Sequence, residues 1–204
     1  LGVSVGTAGD VNGDGFADLL IGAEGFDNGQ IDEGRAFLYE GSANGPAALP
    51  AWTAESNQVA AFLGGAVAGV GDVNGDGFGD VLIGAEWLDN GQMDEGRAQL
   101  YYGYSAGLAL APAWGPVGSQ SEAHLGVAVA SAGDVNGDGY GDLIVGAPWF
   151  DGGQLDEGRA TVHLGSTSGP AVAPSWSAEG NLDAADFGIA VAPAGDVNGD
   201  GYAD

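Results

Sequence analysis

Asp10, Asn12, Asp14 and Asp18 stand at positions 1, 3, 5 and 9 of a loop whose position 6 is Gly15. In a tight loop alternate side chains converge on one point, and oxygen-only ligands at that density suit a hard cation, Ca²⁺ above all. Three carboxylates a few ångströms apart repel one another strongly unless a cation sits among them. The backbone carbonyl of Phe16, at position 7, is the expected further ligand. The loop recurs as Asp72, Asn74, Asp76, Phe78 and Asp80, then as Asp134, Asn136, Asp138, Tyr140 and Asp142. It begins a fourth time with Asp196, Asn198, Asp200 and Asp204. Asn-Gly and Asp-Gly are also ordinary hairpin residues. A turn has no use, however, for three further Asp at fixed places in four copies.

The first six positions also suit an EF-hand. That motif needs a bidentate acid at position 12 and helices on either side. Position 12 is Ile21, Ile83 or Val145, and the flanks have no helical period. Other candidate groups are weaker. Asp27 to Arg35 forms a second acidic stretch, repeated at Asp89 to Arg97 and Asp151 to Arg159. Its spacing matches no calcium loop, so a surface hairpin is expected, with each Arg clamping it onto a neighbouring carboxylate. Periodic Trp52, Trp114 and Trp176 read as packing. Trp87 and Trp149, which Gly25 replaces in the first copy, form the candidate recognition surface. His124 and His163 belong to no repeated constellation, and Ser166 and Ser168 have no paired base. No catalytic residues are therefore assigned, and the chain is read as not an enzyme.

The elements that position these groups follow from one period. Gly-Asp-Val-Asn-Gly-Asp-Gly occurs four times at a step of 62 residues, and Arg35, Arg97 and Arg159 keep the same step. So do Leu1, Leu63, Leu125 and Phe187. The units run 1–62, 63–124 and 125–186, with 187–204 starting a fourth. Within a unit the pattern is β: an alternating run over Gly2 to Ala8, a continuously apolar run over Asp18 to Gly22, then Arg35 to Tyr39 and Ala51 to Ala54. Small residues in the first run suit a strand crowded against a common axis. The expected fold is all-β, with tandem four-stranded antiparallel blades of 62 residues, either a segment of a β-propeller or of a longer repeat array.

The 204 residues contain 29 Asp and Glu against 3 Arg and no Lys, a formal charge of −26, and no Cys. Nucleic acid is excluded as a partner because phosphate neutralisation needs a basic surface. Disulfides and thiolate metal sites are impossible. No run is long and apolar enough for membrane insertion, and no signal peptide is evident. The chain starts at Leu1 without Met, which suggests a mature or excised segment. With 45% apolar residues a core is affordable once local cations neutralise the acids.

The loop, with its acid at position 9 followed at once by a β-type run, resembles the FG-GAP repeat of integrin α-subunit propellers and of many bacterial surface proteins. Leu-Gly or Phe-Gly at each unit start and Gly146-Ala147-Pro148 belong to the same pattern, although Glu24 and Glu86 stand where Pro148 does. The resemblance implies a calcium-stiffened blade, with the metal between its first and second strands. It also implies protein or glycan partners, outside the cell or at its surface. Two functions compete: an adhesion or recognition module, and a building block of a filament or surface layer. Three units and a fraction are too few to close a ring of four to eight blades. Further copies of the chain, or a longer parent array, are therefore expected partners.

Overall fold

The computed structural model describes residues 2–204, so the expectation for Leu1 lies outside the described residues. The first unit builds β1 (Ser4–Gly9), β2 (Asp18–Ala23), β3 (Arg35–Tyr39) and β4 (Trp52–Glu55), an antiparallel sheet in sequence order. The second builds β5 (Val67–Gly71), β6 (Asp80–Ala85) and β7 (Arg97–Tyr101), followed by a small ribbon of β8 (Gly103–Tyr104) and β9 (Gly107–Leu108). The third repeats the four-stranded sheet as β10 (Ala128–Gly133), β11 (Asp142–Ala147), β12 (Arg159–His163) and β13 (Trp176–Glu179). The fold is thus all-β, with blades of the propeller type.

The second blade departs from the expected four strands. Its fourth segment keeps only the bridges Leu100↔Trp114 and Arg97↔Val117. Gly115 and Pro116 occupy the middle of this segment. The carbonyl of Pro116 still accepts from the Ala98 amide, but a proline has no N–H to return, and a ladder missing that donor does not extend. Residues 190–194, the counterpart of a first strand, likewise form no ladder.

Each first strand enters its acidic loop through a bulge. The registers of β1–β2, β5–β6 and β10–β11 all slip by one residue just before Gly9, Gly71 and Gly133. These glycines adopt φ of 78°, 75° and 81°, a left-handed conformation that a residue with a Cβ enters at a cost. The bulge turns the chain out of the sheet so that the next residue, Asp10, Asp72 or Asp134, opens the loop.

The core lies between blades. One cluster joins Leu20, Leu38 and Trp52 of the first blade to Val81, Ile83 and Tyr101 of the second. The next joins Leu82, Leu100 and Trp114 to Leu143 and Val145. A strand covered on both faces must be apolar at consecutive positions, which is why β6 is buried along its whole length. Backbones also meet directly. A Cβ on Gly22, Gly84 or Gly146 would collide with the carbonyl of Gly64, Gly126 or Gly188, so the glycine of each unit-start dipeptide seats one blade against the last.

Candidate cation loops and an aromatic surface

In the first loop Asp10 curls the chain around its own carboxylate. Oδ1 accepts from the amides of Gly13 (2.8 Å) and Asp14 (3.0 Å), and Oδ2 from Gly15 (2.8 Å). Asn12 Oδ1 accepts from the Asp14 amide, while its Nδ2 donates to Asp14 Oδ2 at 3.2 Å. Asp14 Oδ1 accepts from Phe16 N. Asp18, fully buried, receives Val11 N on one oxygen and Gly41 N on the other. It therefore ties the loop to the exit of β3. Asp72, Asn74, Asp76 and Asp80 repeat these bonds, as do Asp134, Asn136, Asp138 and Asp142. In the fourth loop Asp196, Asn198 and Asp200 are curled in the same way, but the exposed Asp204 holds Val197 and Asn198 instead of a strand exit.

Among the described residues no three acid or histidine side chains form a ready metal cage. The donor set nevertheless fits a dication. Burial pushes the Asp80 carboxyl up to about 7; the amides of Gly103 and Val73 oppose this, and the charges of Asp76 and Asp72 add to it. Asp142 is raised for the same reasons, with Asp138 and Asp134 nearby. No protein cation relieves either site, since Arg35 with Glu55 is the one arginine–carboxylate pair within 4 Å among the described residues. An oxygen-only donor set with a buried, uncompensated carboxylate is what a hard dication stabilises.

Neighbouring loops also touch. The aromatic residue at position 7 packs on the glycine at position 4 of the preceding loop, Phe78 on Gly13, Tyr140 on Gly75 and Tyr202 on Gly137. The residues expected to lend a backbone carbonyl thus use their rings to space the loops.

The second acidic stretch is a hairpin held by its own acids. Asp27 accepts from the Asp32 amide at 2.7 Å, and the buried Glu33 from Asn28 N at 2.6 Å. The clamp expected of the arginines is real only in part. Arg35 pairs with Glu55, directly across the β3–β4 ladder, while Arg97 faces Val117 and has no such partner.

Trp87 and Trp149, 62 residues apart, come together. Their rings meet edge to face at 6.3 Å, and both flank His124, at 4.3 and 4.2 Å. Phe62 extends the group to Trp87 at 6.1 Å. Both indoles are partly exposed, whereas His124 is buried, its Nδ1 lacks a partner, and burial alone holds its pKa down at about 4. Sequence reasoning set His124 aside because its counterparts are Phe62 and Asp186. The available signal was that shared position, the residue before each unit start, where all three adopt φ of 50–53°. Gly25, the counterpart of Trp87, leaves a cavity of about 210 Å³ bounded by Glu24, Phe26 and Phe62.

Antiparallel blades stacked at a fixed step, each entering a glycine-bulged acidic loop, define a repeat segment of the β-propeller type. The chain belongs to the FG-GAP repeat family, whose model matches residues 1–39, 64–101 and 125–163. It is similar to integrin alpha-5 of Xenopus laevis, 32% identical over 172 residues, covering 79% of this chain and 16% of that protein. Integrin alpha-PS2 of Drosophila melanogaster is 37% identical over 72% of this chain and 11% of its own length. Integrin alpha pat-2 of Caenorhabditis elegans is 34% identical over 100% of this chain and 17% of its own. The chain therefore spans less than a fifth of the relatives it matches. These are animal integrin α chains, and the bacterial side of the expected resemblance finds no support in them.

Proposed function

We propose that this chain is a non-catalytic, calcium-binding FG-GAP segment of an extracellular or cell-surface protein, serving adhesion or recognition. The observation that carries the calcium reading is the buried aspartate at position 9, with two further acids of its loop nearby and no cationic side chain to balance them. Asp10, Asn12, Asp14, Asp18 and the Phe16 carbonyl would hold one ion, and the equivalent groups of the later loops would hold the others. Bound calcium would neutralise the loop carboxylates and brace the hairpin between the first and second strands of each blade. Units at 1–62, 63–124 and 125–186, with a fourth beginning at 187, are the domains of this reading.

The recognition role rests on kinship with integrin α chains and on the half-exposed Trp87 and Trp149. The reading excludes catalysis because the histidines are engaged or shielded. His163 contacts the Ala171 carbonyl and the Thr161 hydroxyl, and His124 lies between indoles.

Calorimetric titration of the chelated chain with Ca²⁺, followed by thermal melting, tests this. One site at a hundred times its Kd adds about 2.7 kcal/mol, which is about 5 to 10 °C in melting midpoint for a chain of this size. Asp76→Ala should lower the stoichiometry by one. An unchanged midpoint with and without chelator rejects the calcium reading.

A second reading, a block of a longer array, is favoured by the outer face of the third blade. Trp176 is 51% exposed there, beside an apolar cavity of about 320 Å³ lined by Ile144, Val162 and Pro193. Its counterparts are covered by the next blade.

A further inference from the structure

Three arginines begin β3, β7 and β12, and the surroundings of Arg97 differ from those of the other two. Arg35 pairs with Glu55 across its ladder and lies over the Phe26 ring at 4.3 Å. Arg159 lies over Phe150 at 3.8 Å, with Glu179 opposite in the β12–β13 ladder. Opposite Arg97 the same register holds Val117, and Leu88 stands where Phe26 and Phe150 do. Like Arg159, Arg97 has no carboxylate within 4 Å, and the Nε of all three arginines is buried without a hydrogen-bond partner; Arg97 alone has neither a carboxylate opposite it in the ladder nor a ring beneath it.

The local backbone makes room for this guanidinium. Gly115 stands where Thr53 and Ser177 do, and a Cβ there would come within 3.1 Å of Arg97 Nε and 3.4 Å of Nη2. The same arginine lines a groove of about 400 Å³ between the first two blades. Gln99, Tyr101, Thr53, Ser56 and Asn57 also line it, as does Glu55, whose charge is already engaged by Arg35. The Tyr101 hydroxyl donates to Gln99 Oε1 at 2.7 Å, leaving the Gln99 amide NH₂ to donate elsewhere. An unpaired planar fork of N–H donors beside an amide donor, in a polar groove, matches a planar acceptor of single charge. A phosphate dianion would call for more positive charge than one guanidinium provides.

We propose that this groove is a carboxylate-binding subsite, in which a ligand carboxylate takes the place beside Arg97 that Glu55 and Glu179 hold opposite its two counterparts. The ligand is a small carboxylate or the carboxylate of a larger partner, from either an acidic amino acid or a sugar acid. The assignment stands apart from calcium in the loops and from the Trp87 surface.

The test is titration of the whole chain, in calcium and at 0.1 M salt to screen its overall charge, with three probes: N-acetyl-aspartate methylamide, methyl glucuronide and inorganic phosphate. The readouts are calorimetry and the Arg97 Nε–Hε resonance. At least one carboxylate should bind saturably and shift that resonance, and the probe that does so identifies the source. Arg97→Gln should weaken binding at least tenfold. Val117→Glu should do the same by supplying the carboxylate in cis, and should leave the melting midpoint equal or higher. The second variant keeps the test decisive should the first fail to fold. Absence of saturable carboxylate binding, equal binding by Val117→Glu, or tighter binding of phosphate would overturn the proposal.

Discussion

Asp18, Asp80 and Asp142 are the buried acids on which each loop is built. Each spans its own loop and the exit of the third strand through two backbone amides, and on the proposed reading each would also face a cation. His124 is a different case. Its folded pKa of about 4 lies below the ordinary 6.5, so as pH falls the unfolded chain takes up a proton that the folded chain refuses. Stability is therefore lost between pH 6.5 and 4. Replacing His124 by Phe, the residue of the first unit, should remove this component. Urea melts at pH 7 and 4.5 should show the variant losing about 2 kcal/mol less than the parent, and parallel losses would contradict the assignment. For the paired arginine, Arg35→Gln removes a half-shielded ion pair and a ring contact. It should cost about 1 to 3 kcal/mol in chemical unfolding, and a cost near zero would show the pair to be ornamental.

At the scale of the element, a blade is defined by how it enters its loop and how it meets its neighbour. The glycines before each loop were legible as a repeat, since Gly before Asp recurs in every unit, while their role as bulges came from the strand registers. The ring of Tyr140 on Gly75 was not legible, because stacking between loops joins residues 65 apart. Gly75 has φ of 77°, and a Cβ there would come within 2.5 Å of that ring. Gly75→Ala should therefore cost about 1 to 3 kcal/mol through backbone strain and a displaced Tyr140. A melt with the parent midpoint would show that the loops do not lean on one another. The four-stranded expectation failed in the second blade, where Gly115-Pro116, a local signal the sequence reading passed over, removes a ladder donor.

Across the whole molecule, stability is shared out at blade junctions. Trp52 donates Nε1 to the Ala109 carbonyl of the next blade at 2.9 Å and meets Tyr101 edge on. Trp114 meets His163 in the same way. Trp176 has no such cover. Trp114→Ala should cost about 3 to 5 kcal/mol, and Trp176→Ala less than about 1 kcal/mol. Similar costs would mean that the third blade is closed by something other than a neighbour in the 62-residue register. No helix of the described residues is long and apolar enough to cross a membrane.

The period, most of the strands, the loops and the family were determined by sequence alone, because each rests on local signals repeated in register: alternation, glycine before aspartate, and oxygen donors at every second position. Only the tertiary structure decided which residues meet across units. It brought Trp87, His124 and Trp149 into one group, gave Arg35 Glu55 as its partner, and left Arg97 without one. The physical reason is that contacts between blades depend on how two backbones cross, and glycine seats at Gly22–Gly64 and Gly84–Gly126 set that crossing. The equal spacing of Arg35, Arg97 and Arg159 predicted equal roles. What stands across the ladder, Glu55, Val117 or Glu179, made them different.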